Sequence, residues 1–313
     1  MSEHELLLPQ VTEENICLPL AISAVSKYWN VNLPLSEAKE IAKKYPNVRG
    51  SILIEGIELA ERHGLGSLIL HSTIPELKKI IDIGIPPIVI LPGLYETVQH
   101  ASVISGYDDA EKTIIHYIPQ HDQIGAIPEK QFEKLWEEDG CLVILLAPPD
   151  IISTIRVENK SREKSNRLCF VSEKLNLQGR HDEAIKTLKE AITLDAANST
   201  ALCLLGGIYN EKNLQECIAF YQKSIQHNKK CYLAYRGLGN YYLKTKQYDK
   251  ADSYYSAAIE INPSRFGPIY KNRGLVRMSQ NKNKEAKQDF ENYLMYTPNA
   301  KDRNDILEAI KEM

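Results

Sequence analysis

Four short segments in the second half of the chain recur at a nearly fixed spacing, and few folds are compatible with it. Asp182-Glu183-Ala184-Ile185, Gln215-Glu216-Cys217-Ile218, Asp249-Lys250-Ala251-Asp252 and Lys284-Glu285-Ala286-Lys287 put small residues at 184, 217, 251 and 286, at intervals of 33, 34 and 35. An aromatic residue or Leu stands four positions after each of them. Upstream lie Leu205-Gly206, Leu238-Gly239 and Arg273-Gly274, each followed three positions later by Tyr209, Tyr242 or Arg277, while an eroded first copy keeps only Leu175. A period of this length corresponds to one two-helix unit that stacks on its neighbours. Small residues let antiparallel helices approach closely, and Tyr and Leu fill the remaining space. Pro263 and Pro298 stand where the second helix of a unit must stop.

This pattern resembles the tetratricopeptide repeat (TPR), with copies at 165–198, 199–231, 232–265 and 267–300 and a capping helix over 302–311. The tyrosines at 209, 242 and 255 fall on its packing positions. The resemblance implies a solenoid with a concave groove that binds a peptide or protein segment. Tyr235, Arg236, Asn240, Lys271 and Asn272 lie on first helices, where groove contacts arise, and are the expected partner-binding residues.

The first half has a different texture. Cys17 to Trp29, Pro34 to Ala42 and Ser51 to His63 read as helices, the last closed by Gly64. Gly66 to His71 reads as a strand, and Thr73-Ile74-Pro75-Glu76 as a capping box opening another helix. Apolar runs at 87–91, 101–107, 113–118 and 141–147 read as strands, with an amphipathic helix at 129–137 before the last. Helices first and a mostly antiparallel sheet after them make an α+β layout.

Cys17 opens the first helix, and His100 stands at the mouth of a strand about eighty residues later. A thiol at a helix N-terminus with an imidazole beside it is the minimum equipment for nucleophilic catalysis, because both the dipole and an imidazolium favour the thiolate. The order of these parts resembles the papain-like fold as trimmed in the bacteriocin-leader (double-glycine) peptidases and their stand-alone relatives. The stretches that carry the resemblance are Leu8-Pro9, Cys17-x-Pro19, Tyr28-Trp29, Ile85-Pro86-Pro87-Ile88-Val89, His100-Ala101-x-Val103-x-x-Gly106-Tyr107-Asp108 and Gly125-x-Ile127-Pro128 with Phe132 and Trp136. It covers about residues 6 to 147.

The resemblance implies Cys17 as nucleophile and His100 as general base and then acid. Two family positions are altered. The oxyanion-donating Gln is expected five or six residues before the cysteine, where Val11 and Thr12 stand, and Gln10 is one residue further back. The imidazole-orienting Asp is expected at Ile118, with Gln120 and Asp122 as the substitutes beyond Pro119. Losing an oxyanion donor costs on the order of 10²–10³ in rate and a misoriented histidine about 10⁴. A cysteine peptidase and a peptidase-like binding protein acting through its repeats therefore both remain open, as does a repeat scaffold with an unrelated N-terminal cap.

The remaining composition limits the alternatives. A formal net charge of −3 and the absence of a basic block argue against nucleic acid as a partner. No apolar run reaches the roughly 20 residues of a spanning helix, so no membrane partner is expected. Six scattered cysteines without CxxC spacing fit reduced thiols and a cytoplasmic location, and no metal or other cofactor is implied. The histidines other than His100 are expected at the surface or in turns. The expected division is a papain-like domain over 1–150, a linker over 151–164 and an all-α TPR solenoid over 165–313.

Overall fold

The computed structural model describes residues 4–6, 17–45, 52–92, 99–118 and 123–313. Apart from residues 92–99, the chain folds as two compact units, one running through Ala201 and the other from Leu202 to Met313.

The first unit opens with helices α1 (Cys17–Tyr28), α2 (Leu35–Lys43) and α3 (Leu53–Arg62). Strand β1 (Gly66–His71), helix α4 (Ile74–Asp82) and strands β2 (Ile88–Pro92), β3 (Gln99–Asp108), β4 (Thr113–Ile118) and β5 (Gln123–Pro128) follow. Helix α5 (Glu129–Trp136), strand β6 (Leu142–Ala147), and helices α6 (Pro149–Thr154), α7 (Lys160–Leu177) and α8 (His181–Leu194) complete it. The capping box forms as its residues dictate: the Thr73 hydroxyl accepts from the Glu76 N–H while the Glu76 carboxylate accepts from the Thr73 N–H.

The strands form a six-stranded sheet in the order β1-β6-β2-β3-β4-β5. The pairs β1/β6, β2/β6, β3/β4 and β4/β5 are antiparallel. Alternation sorts the sheet residues between two cores. Ile88, Ile90, Ala101, Val103, Leu142, Ile144 and Leu146 pack with α1–α3. Val89, Leu91, Ile104, Val143 and Leu145 pack with Leu77 and Ile81 of α4 and Phe132 and Trp136 of α5. Both faces are covered, which is why these strands read as unbroken apolar runs. Helix α1 is enclosed in the same way: every residue from Leu18 to Ser26 is buried.

Helix α7 departs from the expected division. Its Phe170 and Val171 pack on the core built by α1–α3, and its polar residues complete the free edge of β1. Asn166 donates from Nδ2 to the carbonyl of Ile69 at 3.0 Å, and the Glu163 carboxylate accepts from the Ile69 N–H. Arg167 reaches Glu61 and Ser67, and Lys174 reaches Glu58 and Glu55. The first repeat pair thus closes the sheet of the N-terminal unit, and α6 occupies part of the segment expected to be a linker.

The α7–α8 pair also shows why its sequence signal is weak. Ser172 stands where the later copies carry Gly, and its hydroxyl donates to the Ala184 carbonyl at 3.2 Å. Leu188, smaller than the aromatic residues that follow in the later copies, fills the facing position and is fully buried.

The second unit continues the helix pairs: α9 (Ser199–Glu211) with α10 (Cys217–His227), α11 (Tyr232–Lys244) with α12 (Tyr248–Ile261), α13 (Pro268–Ser279) with α14 (Asn283–Tyr296), and then α15 (Arg303–Glu312). The glycines fit against the aromatic rings that stand four positions after the small residue of each unit. A Cβ at Gly206 would lie 2.9 Å from the Tyr221 ring, one at Gly239 2.6 Å from Tyr255, and one at Gly274 2.8 Å from Phe290. In the last pair Arg277 replaces the signature Tyr. Together with Arg273 it clamps the buried Asp289 carboxylate, at 2.9 and 2.6 Å.

Two substitutions probe these seams. Asn166→Ala, which leaves the Ile69 carbonyl without its donor, should lower stability by about 2 kcal/mol in a denaturant titration. Gly239→Ala, which forces the Tyr255 ring off its seat, should cost about 1–2 kcal/mol even though Ala is the better helix former. An unchanged midpoint in either titration would contradict the packing described.

Candidate functional site

Cys17 is the first residue of α1 and is only partly buried, whereas the helix behind it is enclosed. Burial pushes the Cys17 thiol up, and the backbone N–H groups of Ala101, Leu18 and Cys17 itself pull it back less strongly. The Ala101 contact is the informative one. It comes from β3, and Ala101 follows His100 in the chain, so the fold brings the two predicted catalytic residues onto neighbouring backbone. His100 is half-buried near the start of β3. Three N–H groups directed at the sulfur make the location receptive to an anion, while desolvation opposes the thiolate. Gln10, Gln120 and Asp122 lie outside the described residues.

Two neighbours of His100 were not foreseen. Ser102, fully buried, donates to the Tyr117 carbonyl at 3.0 Å and lies 3.0 Å from Nδ1 of His116. Because the Ser102 proton is committed to that carbonyl, the His116 ring is the donor in this pair. His116, expected at the surface, is buried on β4, and burial followed by the charge of His100 pushes its pKa down to about 4. The available signal was position: His116 lies within a strand whose neighbours Ile114, Ile115 and Tyr117 are apolar or aromatic. His71 is half-buried as well, held between the Gly140 carbonyl and the Asn166 side chain.

The motif that ends β3 also has a packing role. The N-terminal residues His4 and Glu5 run so close to Gly106 that a Cβ there would meet the Glu5 Cα at 2.8 Å. His4 stacks on Tyr107 with ring centroids 4.3 Å apart, and the Tyr107 hydroxyl donates to Asp82 at 2.8 Å.

On the repeats, the five predicted groove residues are all half-buried, and their neighbours within the unit are specific. The Arg236 guanidinium lies 4.9 Å from the Phe266 ring centre. Asn240 accepts from the Tyr255 hydroxyl at 2.8 Å and from Asn272 at 3.4 Å. Lys271 pairs with Asp302 at 2.7 Å, and Tyr235 packs on the solenoid core. Tyr255 and Tyr242 are buried as predicted, whereas Tyr209 is half-buried. Among the described residues no cluster of His, Cys, Asp and Glu is arranged to hold a metal ion, and no helix is long and apolar enough to cross a membrane.

Comparison with known families agrees with this architecture. Residues 6–144 match the Peptidase_C39 like family, and residues 175–198 and 232–265 match tetratricopeptide repeats. The chain carries a Peptidase_C39-like domain followed by TPR repeats. The second TPR match coincides with the third copy read from the sequence. Among curated proteins, the chain is 34% identical over 97 residues to anaphase-promoting complex subunit 3 of Schizosaccharomyces pombe, covering 31% of this chain and 15% of that protein. It is 33% identical over 88 residues to an uncharacterized protein of Haemophilus influenzae, covering 28% of this chain and 48% of that one. The chain thus spans less than half the length of these relatives. Among solved structures it is similar to Pseudomonas aeruginosa PilF, with a TM-score of 0.44 at 19% identity over 49% of this chain and 71% of that one. It is also similar to MamA, with a TM-score of 0.40 at 21% identity over 45% and 91%.

The buried histidine of the Peptidase_C39-like domain has a consequence for stability. In the folded chain His116 takes up its proton only near pH 4, whereas an unfolded histidine does so near 6.5. Its contribution is therefore complete above about pH 6.5 and is lost as the pH falls towards 4, on the order of 3 kcal/mol. Unfolding titrations across this range should show a flatter pH dependence for His116→Asn than for the wild type. Parallel profiles would contradict the assignment.

Proposed function

We propose that the chain is a cysteine peptidase whose Peptidase_C39-like domain cleaves a peptide bond with Cys17 and His100, and whose repeats recruit a peptide or protein segment. The observation that carries this reading is the hydrogen bond to the Cys17 sulfur from the N–H of Ala101, the residue after His100. In the proposed reaction the Cys17 sulfur attacks the scissile carbonyl and forms the acyl-enzyme, and His100, having taken the thiol proton, delivers it to the leaving amine. Water then hydrolyses the thioester, with His100 as base. The backbone N–H of Cys17 is a candidate donor to the oxyanion. Repeats that hold a substrate on the same chain raise its effective concentration at the sulfur.

A second reading, a peptidase-like domain that binds without cutting, draws support from the same sulfur. Burial outweighs the three N–H donors, so the thiol form is favoured. Catalysis requires the His100 imidazolium to reverse that balance.

Alkylation separates the two readings. Under the peptidase reading Cys17 reacts at pH 7 at least tenfold faster than Cys141, the other partly exposed thiol, and His100→Ala removes that advantage. Hydrolysis of a peptide library would then disappear in Cys17→Ser. Cys17 reactivity that follows the ordinary thiol pKa of about 8.5 and is indifferent to His100 would overturn the peptidase reading and leave the binding one.

A further inference from the structure

Three cysteines that the proposed chemistry does not use, Cys203, Cys217 and Cys231, lie in the core of the second unit. Two of them meet. Cys203 belongs to α9, and Cys231 is the residue from which α11 starts, so they bridge the first helices of two successive repeats. Their thiols are hydrogen-bonded to each other, and the Ser224 hydroxyl of α10 donates to the Cys231 sulfur at 3.4 Å. Both residues are buried, at 8% exposure each, so the pair is shut off from protein reagents and only a small oxidant can be considered.

We propose that Cys203 and Cys231 are a redox site: a dithiol that hydrogen peroxide converts to a disulfide, stapling α9 to α11. In the first step one thiolate attacks the peroxide oxygen, the O–O bond breaks, and a sulfenic acid and one water form. In the second the neighbouring thiol displaces the sulfenic oxygen, the S–S bond forms, and a second water leaves. Two S–H bonds are lost, the sulfurs are oxidised by two electrons, and the peroxide takes those electrons.

The surroundings set the rate. Donation of its own S–H to the Cys231 sulfur, and then burial, push the Cys203 thiol well up, while the guanidinium groups of Arg236 and Arg265 pull it down. Cys203 is therefore slow to ionise in the intact core, and oxidation should accelerate with rising pH. Once formed, the bridge ties together positions separated by an entire helix, α10, and fixes the angle between two repeats.

The test uses the full chain. It is exposed to hydrogen peroxide at pH 8, denatured in N-ethylmaleimide, digested and mapped by mass spectrometry. The expected product is a cross-linked peptide joining Cys203 to Cys231, two hydrogens lighter than the dithiol and reversed by dithiothreitol. The oxidised chain should also melt higher, by at least about 5 °C. In Cys231→Ser, Cys203 should stop at a sulfenic acid that dimedone traps. The wild-type map alone decides the matter if that variant does not fold. Recovery of both residues as maleimide adducts, their oxidation to sulfinic acids without a cross-link, or a bridge from either one to Cys217 would overturn the proposal.

Discussion

Ile69 lies on the outermost strand at one side of the sheet, where a backbone N–H and carbonyl point away from every other strand. A free edge of this kind is a template for pairing with another chain. Glu163 and Asn166 satisfy both groups from α7, about a hundred residues later in sequence. The Asn166 amide is itself held by Asn198, which donates to its Oδ1 at 3.1 Å, and Asn198 also donates to the Ser165 hydroxyl at 2.9 Å. The edge of the N-terminal sheet is thus tied, through one polar chain, to the end of the first repeat. Much of the first unit follows from this tie. The apolar face of α7 is spent on the core of α1–α3, and the helix pair that begins the repeats is also the last layer of the α+β domain.

The same economy of burial governs the candidate nucleophile. Helix α1 is buried along nearly its whole length, so its N-terminal end sits at the margin of the core, and the thiol there is drawn by two opposing influences. Peptide N–H groups favour the anion, and the low-polarity surroundings favour the neutral thiol. In this structure the second influence is the larger. His100 is placed by the strand that also supplies the Ala101 donor, so the position of the candidate base and the polarity at the sulfur depend on the same few residues of β3.

Much of this was legible in the sequence because the responsible physics is local or periodic. The repeat spacing located the helix pairs and the small residues at which they approach. The capping box at Thr73 and the apolar runs of the inner strands were readable for the same reason. What escaped depended on contacts distant in sequence. Nothing in the local pattern of Glu163 and Asn166 says that they complete a strand edge, and a helix that resembles the start of a solenoid therefore read as part of the solenoid. Strand β5 was not read as a strand, because Gly125 and Pro128 weaken its signal. His116 was placed outside because a lone histidine carries no periodicity, although its burial follows from β4 lying in the interior of the sheet. At the candidate site the sequence singled out Cys17 and His100, which α1 and β3 bring onto neighbouring backbone, and not the polarity around the sulfur.

Because α7 belongs to two architectures at once, the familiar picture of domains as interchangeable beads does not apply to this junction. A recombination event that joined the peptidase-like part to some other partner at residue 150 would strand an unsatisfied β-edge on one product and bare the inner face of α7 on the other. Both exposed surfaces favour self-association. Exchange that spares the tie at Asn198 would have to occur beyond it.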